Sequence, residues 1–328
     1  MNLDVLIVGQ GIAGTITSYQ LINKGLTVGI IDNAIQNQSS KLASAIINPL
    51  SGKKWNQVAQ FDTYLNDSLS NYKGIEQLIQ HPVIQAKEHV YFFQNLESQE
   101  TAKQNANSDW YTLSEDSLFK NIKSPFGYAQ IQQCYCIDQE TMFEKWRHYM
   151  EQHYYLSSSL FDYQALNYEN KKWCYNDIRA NAIIFCEGIS ALNNPYFNKL
   201  PFTQNRGDVL YVNIDQLDNN YIYSFKDRLV PIKDQLFWLG SNHIWDYNKL
   251  DKNLEWAESC LKNLEEQLPY TIQLIDHKVA ERPTTIGQKP LALKHELHPN
   301  MGLLNGLGTR GFLQASTYCK MLLEQLQL

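Results

Sequence analysis

Apolar runs and amphipathic repeats divide the first part of the chain into distinct elements. Residues 5–8 form a continuous apolar run, which is typical of a strand covered on both faces. Ile12 and Ile16 then recur at helical spacing. Residues 27–31 are rich in β-forming side chains and lead directly to Asp32. The pattern therefore predicts a strand, a tight turn, a helix and a second strand.

The pattern farther along the chain predicts a mixture of strands and helices. Strands are expected where apolar residues run together or alternate with polar ones, at 86–94, 177–188, 202–214, 221–240 and 302–304. Helices are expected where apolar residues recur every three or four positions, at 141–153, 253–268 and 312–326. Residues 206–208 are interpreted as an interruption of the alternating pattern. No repeat or linker is visible, so we expect interleaved domains.

Composition and charge narrow the classes of protein. The chain has 328 residues, of which 44% are hydrophobic and 19% charged, as is ordinary for a soluble protein with two domains. A net charge of −6 argues against broad nucleic-acid binding. No apolar run approaches the ~20 residues that span a bilayer, and no signal peptide fits. The six cysteines are scattered without a CxxC pair, so we expect a cytoplasmic protein.

A glycine-rich turn between the first strand and the first helix carries the clearest chemistry. Gly9, Gly11 and Gly14 have the GxGxxG spacing. The first glycine permits the tight turn, the second lets the backbone approach a pyrophosphate, and the third lets the helix pack on the strand. Asp32 follows at a distance that suits a hydrogen bond to a ribose hydroxyl. The unit predicts a dinucleotide site, with a purely structural turn as the alternative.

Later segments extend this pattern into a resemblance over nearly the whole length. They are the Ser/Ala-rich segment 39–49, the strand 182–188, the strand pair 229–241, the Arg-Pro segment 280–291 and a second glycine turn, 306–311. In this order they resemble the FAD-dependent amine and amino-acid oxidoreductases, the family that includes D-amino-acid oxidase and glycine oxidase. Asp32 stands where the family more often has Glu, and Ala45 stands where glycine is common.

The resemblance implies a fold and a domain layout. The implied fold is α/β (α+β overall), with an FAD-binding doubly wound Rossmann-like domain and an inserted substrate domain built on a mostly antiparallel sheet. The expected FAD-binding domain comprises residues 1–75, 140–205 and 281–328. The expected substrate domain comprises residues 76–139 and 206–280.

The resemblance also implies the cofactor and the reaction. We expect noncovalent FAD and oxidation of the C–N bond of a small amino acid or secondary amine, by hydride transfer to flavin N5. Arg282 matches the arginine that clamps the substrate carboxylate, a task that suits a planar guanidinium. Arg310 is expected at the flavin or the substrate. The residues expected to bind the cofactor are Gly9, Gly11, Ile12, Ala13, Gly14, Asp32, Ser40, Ala45, Ile46, Gly188, Gly306, Gly308, Thr309, Arg310, Gly311 and Phe312.

Three alternatives stay open. Residues 306–311 and 48–51 are similar to the oxidoreductase half of the bifunctional tRNA wobble-uridine modification enzyme, which would make a carboxymethylamino group on tRNA the substrate. A nicotinamide-linked dehydrogenase shares the first glycine turn but leaves Arg282 unexplained. A non-catalytic flavoprotein is the third, because Ala45 and Arg228 depart from the family pattern.

The remaining candidates are weaker. Four side chains of the alternating region are possible lid residues of a substrate pocket: Tyr223, Arg228, His243 and Tyr247. His295 and His298 have the spacing of metal ligands, but no third ligand is near, so no metal site is expected. The expected partner is a small-molecule amine, with nucleic acid disfavoured, and the sequence sets no oligomeric state.

Overall fold

Two β-sheets form the framework of the chain. The computed structural model describes residues 1–34, 39–51, 55–105, 109–114, 119 and 121–328. The helices are α1 (Ile12–Asn23), α2 (Ser39–Leu42), α3 (Phe61–Ile79), α4 (Leu96–Gln104), α5 (Gln139–His153), α6 (Leu254–Gln267) and α7 (Gly311–Leu326). Short 3-10 turns span Tyr163–Ala165, Gly188–Asn193 and Gly308–Arg310. The strands are β1 (Asn2–Val8), β2 (Val28–Ile31), β3 (Ile46–Ile47), β4 (Leu50–Ser51), β5 (Asn56–Gln57), β6 (Ile84–Phe92), β7 (Tyr111–Ser114), β8 (Tyr128–Ile137), β9 (Tyr155–Ser157), β10 (Leu166–Glu169), β11 (Lys172–Tyr175), β12 (Ile178–Phe185), β13 (Phe202–Ile214), β14 (Tyr221–Ser224), β15 (Arg228–Lys233), β16 (Leu236–Gly240), β17 (Ile272–Thr285), β18 (Leu291–Lys294) and β19 (Met301–Asn305).

The first sheet has a parallel centre in the order β9–β2–β1–β12–β19. The hairpin β10–β11 and the strand β18 add antiparallel pairs at its margins. Leu6, Ile7 and Ile184 are fully buried, because this sheet is covered on both faces. The carboxyl ends of β1, β2 and β12 lie at one edge, where ligands bind in sheets of this type.

The two faces of the first sheet have different covers. On one face, α1, α3, α5 and α7 pack around buried side chains such as Ile16, Trp146 and Leu322. The other face is covered by aromatic side chains, and Phe161 stacks on Tyr175 with ring centroids 4.5 Å apart. Such ring pairs stabilise the core beyond the area they bury.

The second sheet is mostly antiparallel, in the order β17–β13–β16–β15–β14–β6–β8–β3, with β7 paired to β8. α6 covers one face, where Leu264 packs with Tyr223 and Leu239. The opposite face meets α2, because the indole N–H of Trp238 donates a hydrogen bond to the Leu42 carbonyl at 2.9 Å. We name this side the inner face of the second sheet and the side under α6 its outer face.

The architecture confirms the expected fold class, an α/β unit joined to a second, mostly antiparallel sheet. Residues 206–208 do not interrupt a strand, because β13 continues through them. Residues 221–240 fold as the antiparallel strands β14, β15 and β16, as the alternating pattern predicts. The second sheet takes its strands from 46–47, 84–137 and 202–285. The domain boundaries set out above stay a prediction.

Several sequence features have simple structural settings. All six cysteines are free thiols. Among the described residues, no helix is both long and apolar enough to cross a membrane. That part of the chain also contains no cluster of three or more His, Cys, Asp or Glu side chains suited to a metal ion. His295 uses both ring nitrogens locally, since Nδ1 accepts from the amides of Leu297 and His298 and Nε2 lies 3.0 Å from the Tyr196 carbonyl.

Candidate functional site

The first glycine turn is shaped by close backbone contacts. Gly9 has a φ of +98°, and a Cβ there would lie 2.4 Å from the Cys186 carbonyl oxygen. A Cβ on Gly14 would lie 1.9 Å from the Gly9 carbonyl oxygen. Both distances are far inside van der Waals contact, so only glycine allows α1 to start this close to β1 and β12.

The amino end of α1 is suited to a phosphate group. The first helical hydrogen bond runs from the Thr15 amide to the Gly11 carbonyl at 2.9 Å, and no side chain of Gly11 covers the turn. The Ile12 amide donates to Ser40 Oγ at 3.2 Å, while the amide of Ala13 belongs to the first turn, which lacks intrahelical acceptors. The amide groups of a helix amino end and the helix dipole favour an anion here, so these residues fit the pyrophosphate of a dinucleotide.

Asp32 lies at the carboxyl end of β2, beside this turn. Its Oδ1 accepts from the Gln10 amide at 2.9 Å and its Oδ2 from the Ala34 amide at 2.8 Å. Arg147 of α5 approaches Oδ2 at 3.2 Å and also donates to the Gln10 side chain at 2.8 Å. Arg147 is not among the residues expected from the sequence, because its position in the middle of an amphipathic helix gives no signal of this contact.

The structure brings the second glycine turn to the same edge of the first sheet. A Cβ on Gly311 would lie 3.1 Å from Ile12 Cγ2, so the amino ends of α7 and α1 touch. The Gln20 side chain also donates to the Ser316 carbonyl at 2.8 Å. The two glycine turns predicted to grip one nucleotide are therefore adjacent.

The Arg-Pro segment of β17 lies against three further glycines of the predicted site. A Cβ on Gly188 would be 3.9 Å from Pro283 Cγ, and one on Gly308 would be 3.8 Å from Thr284 Oγ1. At Gly306, where φ is +67°, a Cβ would lie 2.8 Å from a methyl group of Thr285. Arg282, the residue before Pro283, thus lies next to the part of β17 that contacts these glycines.

The loop after α2 lies between the two sheets. Ala45 is buried and has a φ of +48°, a conformation in which glycine is less strained than alanine. Its carbonyl accepts from the Ile137 amide at 2.9 Å, and Ile46 pairs with Cys136 of β8. The positive φ explains why glycine is common at this position in the family that the sequence resembles. Ala45 adopts the same conformation at a higher strain.

Arg282 is held by neutral groups on the inner face. Its Nη1 donates to Asn205 Oδ1 at 2.8 Å and to the Asn242 carbonyl at 3.2 Å, and its Nη2 donates to the Ser241 hydroxyl at 2.7 Å. His243 Nδ1 lies 3.3 Å from Nη1. Among the described residues, Arg282 forms no ion pair with a carboxylate. The guanidinium is thus positioned but not neutralised.

Burial lowers the pKa of Arg282 to about 10, an effect that the Asp208 carboxylate partly offsets. Arg282 therefore keeps its charge at neutral pH. Burial, followed by the charge of Arg282, lowers the pKa of His243, which keeps the imidazole neutral beside the cation. A fixed cation with neutral neighbours is suited to a carboxylate ligand.

Gly207 leaves room for the Arg282 side chain to cross β13. Asn205 pairs with Arg282, and Gly207 is the next residue on the same face of β13. A Cβ on Gly207 would lie 1.9 Å from Nη2 and 2.3 Å from Cζ of Arg282. The guanidinium thus occupies the space of a missing side chain, which explains a glycine inside a long strand.

Asp208 fixes the segment that receives Arg282. Its amide donates to Asn242 Oδ1 at 2.7 Å, and its Oδ2 accepts from Asn242 Nδ2 at 3.1 Å. Its other oxygen lies 2.8 Å from His277 Nε2, and Arg206 is 3.4 Å from Oδ2. Asp208 is fully buried, so this network holds Asn242 in the position where its carbonyl accepts from Arg282.

The predicted residues at the start of α7 have different settings. Gly308 and Thr309 are exposed, whereas Phe312 is buried in the helical core, 6.3 Å from the ring of Phe143. Burial lowers the pKa of Arg310, and Tyr64 of α3 lies close enough to offset this in part. Any contact of Phe312 with a cofactor would therefore involve its backbone.

The lid candidates divide between the two faces of the second sheet. Tyr223 lies in the core under α6, on the outer face, so it is no part of a pocket on the inner face. Tyr247 donates to Glu281 at 2.9 Å, and Glu281 alternates with Arg282 along β17, which places this contact on the outer face as well. Arg228 and His243 lie on the inner side.

Comparison with known proteins identifies the family. Residues 4–325 match the model of DAO, described as FAD dependent oxidoreductase. Glycine oxidase from Geobacillus kaustophilus superposes with a TM-score of 0.79 at 11% identity, over 99% of this chain and 95% of that one. Iminodiacetate oxidase from Chelativorans sp. BNC1 superposes with a TM-score of 0.74 at 15% identity, over 97% and 94%. L-proline dehydrogenase from P. horikoshii gives 0.76 at 14% identity, over 99% and 93%. At such low identity the solved structures show the fold alone. The family model spans both glycine turns and the Arg-Pro segment. The chain therefore belongs to the DAO family of FAD-dependent oxidoreductases, with FAD as its cofactor.

Proposed function

We propose that the protein oxidises the C–N bond of a small amino acid or a secondary amine that carries a carboxylate. The observation that carries this proposal is the Arg282 guanidinium, held by Asn205 and Ser241 at 2.8 and 2.7 Å without a carboxylate partner among the described residues. It lies at the end of β17 that adjoins Gly188 and Gly308. Two parallel N–H groups would fix the orientation of the substrate carboxylate as well as its charge.

Two parts of the chain would hold the cofactor. The amino end of α1, with Gly11 and the Ile12 and Ala13 amides, would bind the pyrophosphate, and Asp32 would lie at the ribose. The start of α7, at Gly311, would offer the partial positive charge of a helix amino end to the pyrimidine end of the flavin. FAD supplies a two-electron acceptor when bound. We expect it to be noncovalent, so that acid denaturation releases it.

The protein groups around the substrate would orient it and set its protonation state. Arg282 remains a cation at neutral pH, since its pKa is about 10. Its charge disfavours a second cation nearby and therefore favours the deprotonated amine, the form that can be oxidised. His243 is neutral, so it adds no charge that would compete with Arg282 for the carboxylate.

The test is anaerobic mixing of the FAD-loaded protein with a panel of amino acids and secondary amines. We expect loss of the oxidised-flavin absorbance with at least one substrate. Arg282→Ala should retain FAD but lose about a hundredfold or more in kcat/KM, because one charge-assisted pair is removed. Arg179→Ala removes an exposed arginine of β12 and serves as the control. Unchanged turnover in Arg282→Ala would remove Arg282 from the site.

The family match also decides between the sequence alternatives. A nicotinamide-linked dehydrogenase is rejected, because the matching family is FAD-dependent. The tRNA-linked substrate remains a prediction without support from a specific contact. The arrangement of Arg282 argues against a non-catalytic flavoprotein, since a half-buried cation without a counter-ion is costly to keep unless a ligand uses it.

A further inference from the structure

A second arginine lies on the inner face, across a glycine from Arg282. Arg282 of β17 pairs with Asn205 of β13. Four residues farther along β13, Val209 pairs with Gly240 of β16. Gly240 in turn pairs with Arg228 at the start of β15. Directly paired residues, and residues an even number apart on one strand, share a face of a sheet. Arg228 and Arg282 therefore point to the same side.

The two arginines approach one short segment. The Arg282 guanidinium donates to the hydroxyl of Ser241, the neighbour of Gly240. Arg228 pairs with Gly240 itself and, on its other side, with Ser224 of β14. Position 240 has no side chain of its own, and the space beside it is bounded by the Trp238 indole, 3.4 Å from where a Cβ would lie.

The charge of Arg228 is not compensated by the protein. Its Nε is buried without a hydrogen-bond partner, and no described carboxylate forms an ion pair with it. Its electrostatic neighbours are Tyr91, Cys134 and His89. Burial lowers the pKa of Arg228, and burial together with Arg228 holds the pKa of His89 well below its ordinary value. The neighbours are thus neutral groups around one cation.

This setting differs from that of other arginines in the chain. Arg147 lies 3.2 Å from Asp32, and Arg206 lies 3.4 Å from Asp208. A half-buried cation whose Nε is buried and that lacks such a partner is destabilising. Residues that break this rule are expected mainly at functional sites, where a ligand supplies the missing charge. The setting of Arg228 therefore indicates an anionic ligand group.

We propose that Arg228 binds a second anionic group of the substrate, so that the preferred substrates are amines bearing two carboxylates. This inference rests on the proposed function, in which Arg282 binds the carboxylate next to the reacting carbon. Arg228 then binds the distal carboxylate on the same face of the sheet, where the Trp238 indole borders Gly240. Two guanidinium groups neutralise a dianion, and a substrate with a single carboxylate leaves Arg228 unpaired.

Unreactive acids test this inference by binding alone. The FAD-loaded protein is titrated with propionate, which has one carboxylate, and with succinate and glutarate, which have two, and binding is followed by calorimetry and by the flavin absorbance. We expect a dicarboxylate to bind about tenfold or more tighter than propionate. Arg228→Met should abolish this preference and leave the propionate Kd within about twofold, whereas Arg228→Lys should retain part of it. Arg282→Met should weaken all three ligands, and Arg179→Met, at an exposed site, should change none.

The outcomes separate this inference from the proposed function. If the wild type binds dicarboxylates no tighter than propionate, or if the preference survives in Arg228→Met, the role of Arg228 is overturned. The function proposed for Arg282 still stands in that case, provided that Arg282→Met weakens propionate binding. If the wild type binds no carboxylate, both proposals are overturned. The wild-type comparison needs no variant, so a poorly folded Arg228→Met would not prevent a decision.

Discussion

Glu187 should make the stability of the protein decline as pH rises from weakly acidic to neutral values. Burial raises the pKa of this carboxyl from 4.5 to about 7, although hydrogen bonds from Tyr163 and Asn194 oppose the change. The folded state then holds more protons than the unfolded state between these two pH values. The free energy of unfolding therefore falls as pH increases through that window, and the whole penalty is present above about pH 7.

The structure sets the size of the effect. One pKa unit corresponds to about 1.4 kcal/mol, so the rise from 4.5 to about 7 corresponds to roughly 3 kcal/mol as an upper bound. Glu187→Gln should remove this dependence. Its amide nitrogen can face the Tyr163 hydroxyl, which is able to accept, while its oxygen accepts from Asn194 Nδ2 in place of the carboxylate. The variant should equal the wild type near pH 5 and exceed it by up to about 3 kcal/mol near pH 8.

Urea unfolding followed by tryptophan fluorescence, at about pH 5 to 8, measures this difference. FAD should be saturating and its Kd measured at each pH, so that its own contribution to stability can be subtracted. Glu100→Gln, an exposed position on α4, controls for the loss of one carboxylate. Parallel pH profiles for the wild type and Glu187→Gln would refute the reasoning.

Two further substitutions test the glycines of the site. Gly207→Ala should displace the Arg282 guanidinium, whose Nη2 would lie 1.9 Å from the new Cβ. The variant should retain FAD but bind carboxylates about tenfold or more weakly, as titration with propionate would measure; unchanged affinity would contradict the proposed path of Arg282. Gly14→Ala should lower FAD affinity and cost roughly 1–3 kcal/mol, because its Cβ meets the Gly9 carbonyl oxygen at 1.9 Å. Flavin content and urea unfolding measure these effects, and Asn23→Ala, at an exposed position of the same helix, is the control. If Gly14→Ala binds FAD fully and is as stable as the wild type, α1 can shift without cost.

Elements with a strong period were predictable from the sequence. The helix expected at 141–153 is α5 (Gln139–His153), and the strand expected at 202–214 matches β13. In α5 the buried side chains are all apolar, so their spacing reports the geometry. In β13 the alternation of Leu210, Val212 and Ile214 carries the prediction, although Asp208 is also buried. The α1 turn was predictable for another reason, because close backbone contact at Gly9 and Gly14 leaves no alternative to glycine.

α3 was not predicted, because its buried stripe contains polar groups. Ser68 and Tyr72 are fully buried, and their hydroxyls donate to the Leu313 and Phe312 carbonyls at 2.6 and 2.8 Å. A sequence pattern does not reveal partners about 240 residues away, whereas in the folded chain these hydroxyls are satisfied. The apolar stripe of Phe61, Leu65 and Ile75 is therefore interrupted in the sequence by polar groups whose burial depends on α7.

The site was predictable in its backbone but not in its supporting side chains. Arg282 was predicted by its Arg-Pro context, while the residues that hold it, Asn205 in β13 and Ser241 just after β16, carry no chemical signature. The one available signal was Gly207, which was interpreted as a break because glycine is uncommon inside strands. Arg228 was predicted as a lid candidate and as a departure from the family pattern, and its meaning depends on the absence of a described counter-ion.

The contact between the first turns of α1 and α7 makes cofactor retention a measure of global folding. The Gln20–Ser316 hydrogen bond closes a loop of 296 residues, a large entropic cost that is met only when the intervening chain is correctly packed. A nucleotide held across this closure stabilises every segment inside the loop at once. A destabilising substitution far from the two glycine turns should therefore be detected first as a lower flavin content of the purified protein.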